Sequence, residues 1–129
     1  MGQRTLNLDI YPAILHACYN TKQWLRLRDQ LGWADWLDDQ PNAQGRVSSA
    51  VFVPDDGSPS VVHVAIYITA DDDTANTITH ETIHAVTHIY DHIGQKIRGD
   101  EATAYLAGHI AGWLHNNLPK GKGKGKGKT

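Results

Sequence analysis

The segment from Thr77 to Ile93 carries two patterns at helical spacing, and together they constrain the fold more than any other part of the chain. One pattern is a largely apolar stripe that recurs every three to four residues, as in a helix that packs by one face. Its members are Ile78, Thr82, Val86, Ile89 and Ile93. His80 and His84 lie opposite this stripe on a helical wheel. The sequence therefore predicts a helix, with Thr77 or Thr79 as its N-cap, that presents two histidines away from the core.

The two histidines belong to the stretch His80-Glu81-Thr82-Ile83-His84, an HExxH motif. Residues four apart in a helix lie on one face, about 6 Å apart along the axis, so both imidazoles can bind one metal ion. The Glu81 carboxylate lies on the same turn and can accept a proton from a metal-bound water. Chance is the alternative in a chain with eight histidines, but the helical context favours a zinc site.

A third protein ligand is expected on a second helix, which the sequence predicts from Asp100-Glu101 to about His115 after a connection from Gly94 to Gly99. Small residues line the Glu101 side of this helix, and bulky ones line the other side. The small residues are Ala104, Gly108, Ala111 and Gly112, and the bulky ones are Leu106, Ile110, Trp113 and Leu114. Because small residues allow close helix packing, we expect the Glu101 side to lie against the His-bearing helix and the bulky side to face the remaining core. His109 is the alternative ligand, since a strictly antiparallel pair would bring it level with His84.

These two motifs together are similar to those of a known class of protein. The HExxH motif, followed about sixteen residues later by Glu101-Ala102-x-Ala104-Tyr105-Leu106, resembles the gluzincin type of zinc metallopeptidase in its smallest form. It is especially similar to short, phage-encoded, zincin-like HExxH proteins. The resemblance covers about Val61 to Leu114 and implies His80, His84 and Glu101 as zinc ligands and Glu81 as general base. It departs from the metzincin pattern at Tyr90, and from larger gluzincins at Tyr105, where they have an Asp.

Other polar residues near the motif have two interpretations each. Tyr105 lies one turn after Glu101 and could donate a hydrogen bond to a tetrahedral intermediate, or it could be an ordinary core tyrosine. His88 and His92 continue the histidine series at four-residue spacing. Because a helix face drifts about 40° at each such step, we interpret both as parts of a solvated polar face.

Upstream of the motif the pattern favours strands. Val47 to Pro54 and Val61 to Thr69 flank a turn-forming segment and predict a β-hairpin, and a strand near Thr5 to Tyr11 should join its sheet. A helix is predicted from Thr21 to Leu31, ending at Gly32. The expected fold is a small α+β, zincin-like domain over residues 1–119. The resemblance further implies that the exposed edge of the Val61 to Thr69 strand is a platform for extended peptide.

Composition limits the class of protein. No apolar run is long enough to span a membrane and the N-terminus lacks the apolar core of a signal peptide, so we expect a cytoplasmic protein, or a virion protein if it is phage-encoded. The single cysteine, Cys18, lies in an apolar stretch and is interpreted as a buried structural residue. All 14 acidic residues precede Pro119, whereas five of the 12 basic residues alternate with glycine from Lys120 to Lys128.

The sequence thus favours a zinc-dependent metallopeptidase that acts on a peptide or protein substrate. One alternative is a phage structural or assembly protein that keeps the zinc site for stability. Another is an interaction module whose disordered tail, Lys120 to Thr129, binds nucleic acid or an acidic partner. A purely solubilising tail explains those lysines equally well.

Overall fold

The computed structural model describes residues 4–8, 10–32, 45–69, 74–94 and 99–119. Four strands and three helices make up this part of the chain, in an α+β fold as the sequence predicts. In chain order they are β1 (Thr5–Leu8), β2 (Ala13–Cys18), α1 (Thr21–Leu31), β3 (Gly45–Phe52), β4 (Val61–Ile68), α2 (Thr74–Ile93) and α3 (Glu101–Asn116). No helix among the described residues is both long and apolar enough to cross a membrane.

The four strands form one mixed sheet in the order β1-β2-β4-β3. The β3 and β4 strands pair antiparallel, which confirms the predicted hairpin, and β1 pairs antiparallel with β2. The β2 strand lies parallel to β4 and occupies its other edge. The prediction of an exposed β4 edge is therefore wrong, because it overlooked β2. The sheet edge on the hairpin side belongs to β3.

The helices cover both faces of the sheet. On β4, Val62, Val64, Ile66 and Ile68 belong to a core cluster that includes buried residues of α2 and α3. The alternating residues Ala65 and Tyr67 belong to a smaller cluster with Trp24 and Leu27 of α1. Because successive side chains of a strand point to opposite faces, α2 and α3 lie on one face and α1 on the other. The β4 strand is thus buried on both sides.

The bounds of the helices agree with their sequence signals, with one exception. The Asn20 side chain caps α1 by accepting from the Gln23 N–H at 2.8 Å, and Gly32 ends it with φ of +70°. Asp100 caps α3 by accepting from the Thr103 N–H at 3.0 Å. The α2 helix begins at Thr74, three residues before Thr77 and five before Thr79, so Thr77 is a buried helical residue rather than a cap. The predicted stripe faces the core, with Ile78, Thr82, Val86 and Ile89 buried.

The prediction for α3 is confirmed for its bulky side, which faces the core, and wrong for its small side. Leu106, Ile110 and Leu114 are buried in the core, whereas Ala104 and Gly108 are exposed. A Cβ atom built at Gly108 or Gly112 would meet no heavy atom within 4 Å. Gly108 and Gly112 therefore make no close contact with another helix, whereas Ala111 packs partly buried against the core. Burial of a large aliphatic side chain is worth about 1.5–3 kcal/mol, so the helix turns its bulky side to the core rather than its small side to α2.

Two titratable side chains are stacked on the α1 side of the sheet. His16 of β2 and His63 of β4 have parallel rings with centroids 5.2 Å apart, and His16 Nε2 lies 2.9 Å from His63 Nδ1. Burial, and then the neighbouring charge of His63, lowers the pKa of His16 to about 4, and burial also lowers the pKa of His63. The pair is therefore neutral in the folded protein at pH 7. Nearby, burial raises the pKa of the Cys18 thiol to about 12, as expected for a structural cysteine.

Because of the His16–His63 pair, the free energy of unfolding should decrease as the pH becomes mildly acidic. Because the folded pKa of His16 is about 4 and the unfolded value is 6.5, the unfolded chain binds the proton more readily between these values. This contribution is fully present above pH 6.5 and is lost as the pH falls towards 4. The urea midpoint should drop over this range in the wild type and less in His16→Gln. Parallel pH profiles for the two proteins would contradict the prediction.

Candidate metal centre

The His80 and His84 rings meet on the outer surface of α2. Their Nε2 atoms lie 3.2 Å apart, and the ring centroids are 4.7 Å apart with an interplanar angle of 70°. Both side chains are exposed. The prediction that the pair projects from the helix side opposite the apolar stripe is confirmed.

The spacing of the two nitrogens fits a tetrahedral zinc ion. Zinc binds imidazole nitrogen at about 2.0–2.1 Å, so two ligands at the tetrahedral angle lie about 3.3 Å apart. The observed 3.2 Å matches this separation. Nitrogen donors of this kind suit zinc and several other transition metals. The pair can therefore hold a divalent ion from this class at the helix surface.

Glu81 provides a carboxylate next to the histidine pair, but its surroundings are different. The Glu81 side chain is only 6% exposed, whereas both histidines face solvent. One donor atom from each of the three residues lies within 4.8 Å of the others, and this is the only such group of metal-ligating side chains among the described residues. Burial raises the pKa of Glu81, and the charges of His80 and His84 oppose that rise. The three groups thus combine two accessible nitrogens with one shielded proton acceptor.

The Glu81 carboxylate packs against the first residue of β3. A Cβ atom at Gly45 would lie 2.5 Å from Glu81 Oε2, 2.6 Å from its Cγ and 2.8 Å from Thr77 Cγ2. Only a residue without a side chain leaves room for this arrangement. Gly45 therefore fixes how closely the β3 edge approaches α2 at the candidate site. Sequence reasoning missed this residue, because nothing in the local pattern shows that Gly45 begins a strand.

His88 also faces β3 and is not part of a solvated surface. Its side chain is half-buried, and its Nδ1 atom forms a hydrogen bond with Ser49 Oγ. Burial lowers the pKa of His88, although the nearby Asp91 charge opposes this effect. The prediction of a solvated role for His88 is therefore wrong. The hydrogen bond links α2 to β3 one turn beyond His84.

His92 is also half-buried, with its Nε2 atom 3.4 Å from the Ser60 carbonyl oxygen.

The structure does not bring Glu101 to the histidine pair. The Thr103 hydroxyl lies 3.2 Å from the Tyr90 hydroxyl, which places the start of α3 beside the end of α2. Tyr90 is six residues beyond His84, or about 9 Å along the helix and about 120° around it. Glu101, the first residue of α3, is exposed and does not belong to the His80-Glu81-His84 group. Its predicted role as third ligand gains no support from this arrangement.

His109 and Tyr105 also lie apart from the pair. Both line an open groove of about 500 Å³ together with residues of the β1 end of the sheet, among them Asn7, Leu8 and Tyr11. Because β1 and β3 are at opposite edges of the sheet, this groove is remote from Gly45 and Glu81. Tyr105 is 75% exposed and is not a core tyrosine. The arrangement supports neither His109 as a ligand nor Tyr105 as a catalytic hydrogen-bond donor.

Comparisons of the chain with protein-family models, with curated proteins and with solved structures found no match. The resemblance to gluzincins consequently stays an expectation that depends on two short motifs. The donor atoms of the HExxH motif lie close together in the structure, whereas Glu101 lies outside their group. His80, Glu81 and His84 are therefore the residues from which a function can be inferred.

Gly45→Ala should disturb the centre through Glu81. The added methyl group must displace the Glu81 side chain or the start of β3, at a cost of about 1–3 kcal/mol in the free energy of unfolding. The matched control is Gly108→Ala, where the added methyl group meets open space in a helix and should stabilise by about 0.5–1 kcal/mol. Chemical denaturation measures both. Repeating Gly45→Ala in a Glu81→Ala background should reduce its cost, and an unchanged cost would contradict the proposed contact.

The ligand set is testable by metal analysis of purified variants after dialysis. His80→Ala and His84→Ala should each lose the bound metal, because each removes one of two converging nitrogens. Glu101→Ala and His109→Ala should retain it, since neither side chain lies in the group. Loss of metal in Glu101→Ala alone would instead favour the ligand set implied by the resemblance. Full retention in all four variants would exclude a metal centre at the motif.

Proposed function

We propose that the chain is a zinc-dependent hydrolase of peptide or related amide bonds, with His80 and His84 as metal ligands and Glu81 as general base. The observation that carries this proposal is the pairing of two exposed imidazole nitrogens, 3.2 Å apart, with a buried carboxylate on the same helical turn. A bound zinc ion would supply an activated water and polarise the carbonyl of the scissile bond.

Glu81 is suited to moving a proton at this site. Its carboxylate lies within reach of both imidazoles and is shielded from bulk water between α2 and the start of β3. A shielded carboxylate holds its position without competing hydration, so it can take a proton from the attacking water and return it to the leaving amine. Gly45 supports this role indirectly, because any larger residue there would push the carboxylate away.

The β3 strand supports a peptide as the substrate. Among the described residues it pairs only with β4, so its outer edge presents backbone hydrogen-bonding groups. This edge begins at Gly45, beside Glu81. An extended peptide can bind such an edge as an added strand, which would carry its backbone past the His80 and His84 pair.

A structural metal site is the main alternative. Structural zinc is usually closed by four protein ligands, whereas catalytic zinc keeps a position for water or substrate. The described residues bring together His80, Glu81 and His84 alone, and the two nitrogens face solvent. This openness favours the hydrolase. The alternative of a nucleic-acid-binding tail concerns Lys120 to Thr129, which lie outside the described residues, and it stays a hypothesis from sequence.

Glu81→Gln should separate the hydrolase from a structural metalloprotein. The substitution keeps the size of the side chain and removes the base, so the variant should retain metal and fold while hydrolysis falls by a factor of about 10² to 10⁴. The measurement is cleavage of a diverse peptide library by metal-loaded proteins, followed by mass spectrometry.

The chain offers a matched control in Glu101→Gln, which is the same chemical change at an exposed residue of α3. This variant should cleave at the wild-type rate. A wild type that cleaves nothing beyond what Glu81→Gln also cleaves would end the hydrolase proposal and leave only a metal-bearing fold.

A further inference from the structure

A small polar pocket lies between the β1–β2 pair and α1, on the sheet face opposite the candidate metal centre. Its volume is about 80 Å³. The polar side chains that line it are Arg4, Thr5 and His16 from the strand region and Gln23, Arg26 and Gln30 from α1. Pockets that enclose drug-sized molecules measure about 300–1,000 Å³, so this one admits only a single small chemical group.

The secondary structure holds these side chains together. Gln23, Arg26 and Gln30 follow one another at three- and four-residue spacing, so they lie along one face of α1. Across the pocket, the Ala17 N–H donates to the Arg4 carbonyl oxygen at 2.7 Å, and Thr5 pairs with His16 in the sheet. The lining residues therefore come from the β1–β2 pair, with the preceding Arg4, on one side and from α1 on the other.

The pocket is rich in donors and positive charge. The Tyr19 N–H donates to Gln23 Oε1 at 2.7 Å, so the amide nitrogen of Gln23 is the group left to donate further hydrogen bonds. Arg4 and Arg26 are exposed at the rim and accessible to solutes. No carboxylate lines the pocket among the described residues, although acidic residues outnumber basic ones before Pro119. The composition of the domain is acidic on average, so composition alone does not account for a basic pocket.

We propose that this pocket binds one phosphate-sized oxyanion through Arg4 and Arg26, with the Gln23 and Gln30 amides as additional donors. Arginine is suited to such a ligand, because its planar guanidinium group donates two parallel hydrogen bonds to phosphate oxygens. The small volume selects a phosphate group itself, either as the free ion or as the exposed end of a phosphorylated molecule. This site is independent of the proposed hydrolase, because it uses other residues on the other face of the sheet.

Titration calorimetry of the full-length protein with inorganic phosphate tests the proposal. Wild type should show saturable binding, and Arg26→Gln should weaken it about tenfold or more, because a charge-assisted hydrogen bond is lost. Lys22→Gln is the matched control: it removes one positive charge from an exposed position of the same helix outside the pocket. It should change the affinity less than about twofold, as expected for a screened surface charge.

Two further arms identify where the anion binds and what carries it. His80→Ala should leave phosphate affinity unchanged, which separates this pocket from the metal centre. O-phosphoserine that binds as well as free phosphate would indicate a phosphorylated partner, and binding of free phosphate alone would indicate the inorganic ion. The proposal is overturned if wild type shows no saturable binding of either anion at millimolar concentration, if Arg26→Gln and Lys22→Gln weaken it equally, or if His80→Ala abolishes it.

Discussion

The burial of β4 on both faces is the constraint on which the rest of the structure depends. Its side chains alternate between the large cluster under α2 and α3 and the smaller cluster under α1. A strand of this kind is stable only if both faces are covered and both edges are paired, which requires α1 on one side, α2 and α3 on the other, and β2 and β3 as neighbours. Because α2 follows β4 directly in the chain, its apolar stripe packs onto the same sheet face. The orientation of the HExxH motif follows from this packing.

That packing gives adjacent residues of one motif opposite environments. Consecutive helical residues are separated by about 100°, so fixing Ile78, Thr82 and Val86 against the sheet turns His80 and His84 outward and leaves Glu81 on the shoulder that faces β3. Burial of a carboxylate is costly, and burial raises the pKa of Glu81 despite the opposing charges of His80 and His84. Where a chain tolerates such a cost next to potential metal ligands, a functional reason for the buried group becomes the stronger explanation.

The sequence was sufficient for features that depend on local pattern and insufficient for those that depend on packing partners. The helices with clear caps and stripes were predicted to within a few residues, and so was the β3–β4 hairpin. The β2 strand was missed, because its only signal is a short run from Ala13 to Cys18 and its partner β4 lies more than 40 residues away. The bulky side of α3 was correctly predicted to face the core, but its small side was wrongly expected to lie against α2, because a helical wheel does not show which neighbour each side meets. For the same reason the sequence could not establish whether Glu101 reaches the histidine pair, and in the structure it is exposed and outside the His80-Glu81-His84 group.

The contrast between Glu81 and the two histidines bears on the choice between catalysis and stability. A metal stabilises a fold when its ligands are brought together only in the folded chain, as when they come from separate elements. Here both nitrogens come from one helix and face solvent, so binding a metal would add no cross-link between α2 and the sheet through them. The group that does contact another element is Glu81, which reaches the start of β3. A pair of open nitrogens beside a shielded carboxylate fits the proposed hydrolysis, whereas a purely structural role would give the buried Glu81 no function.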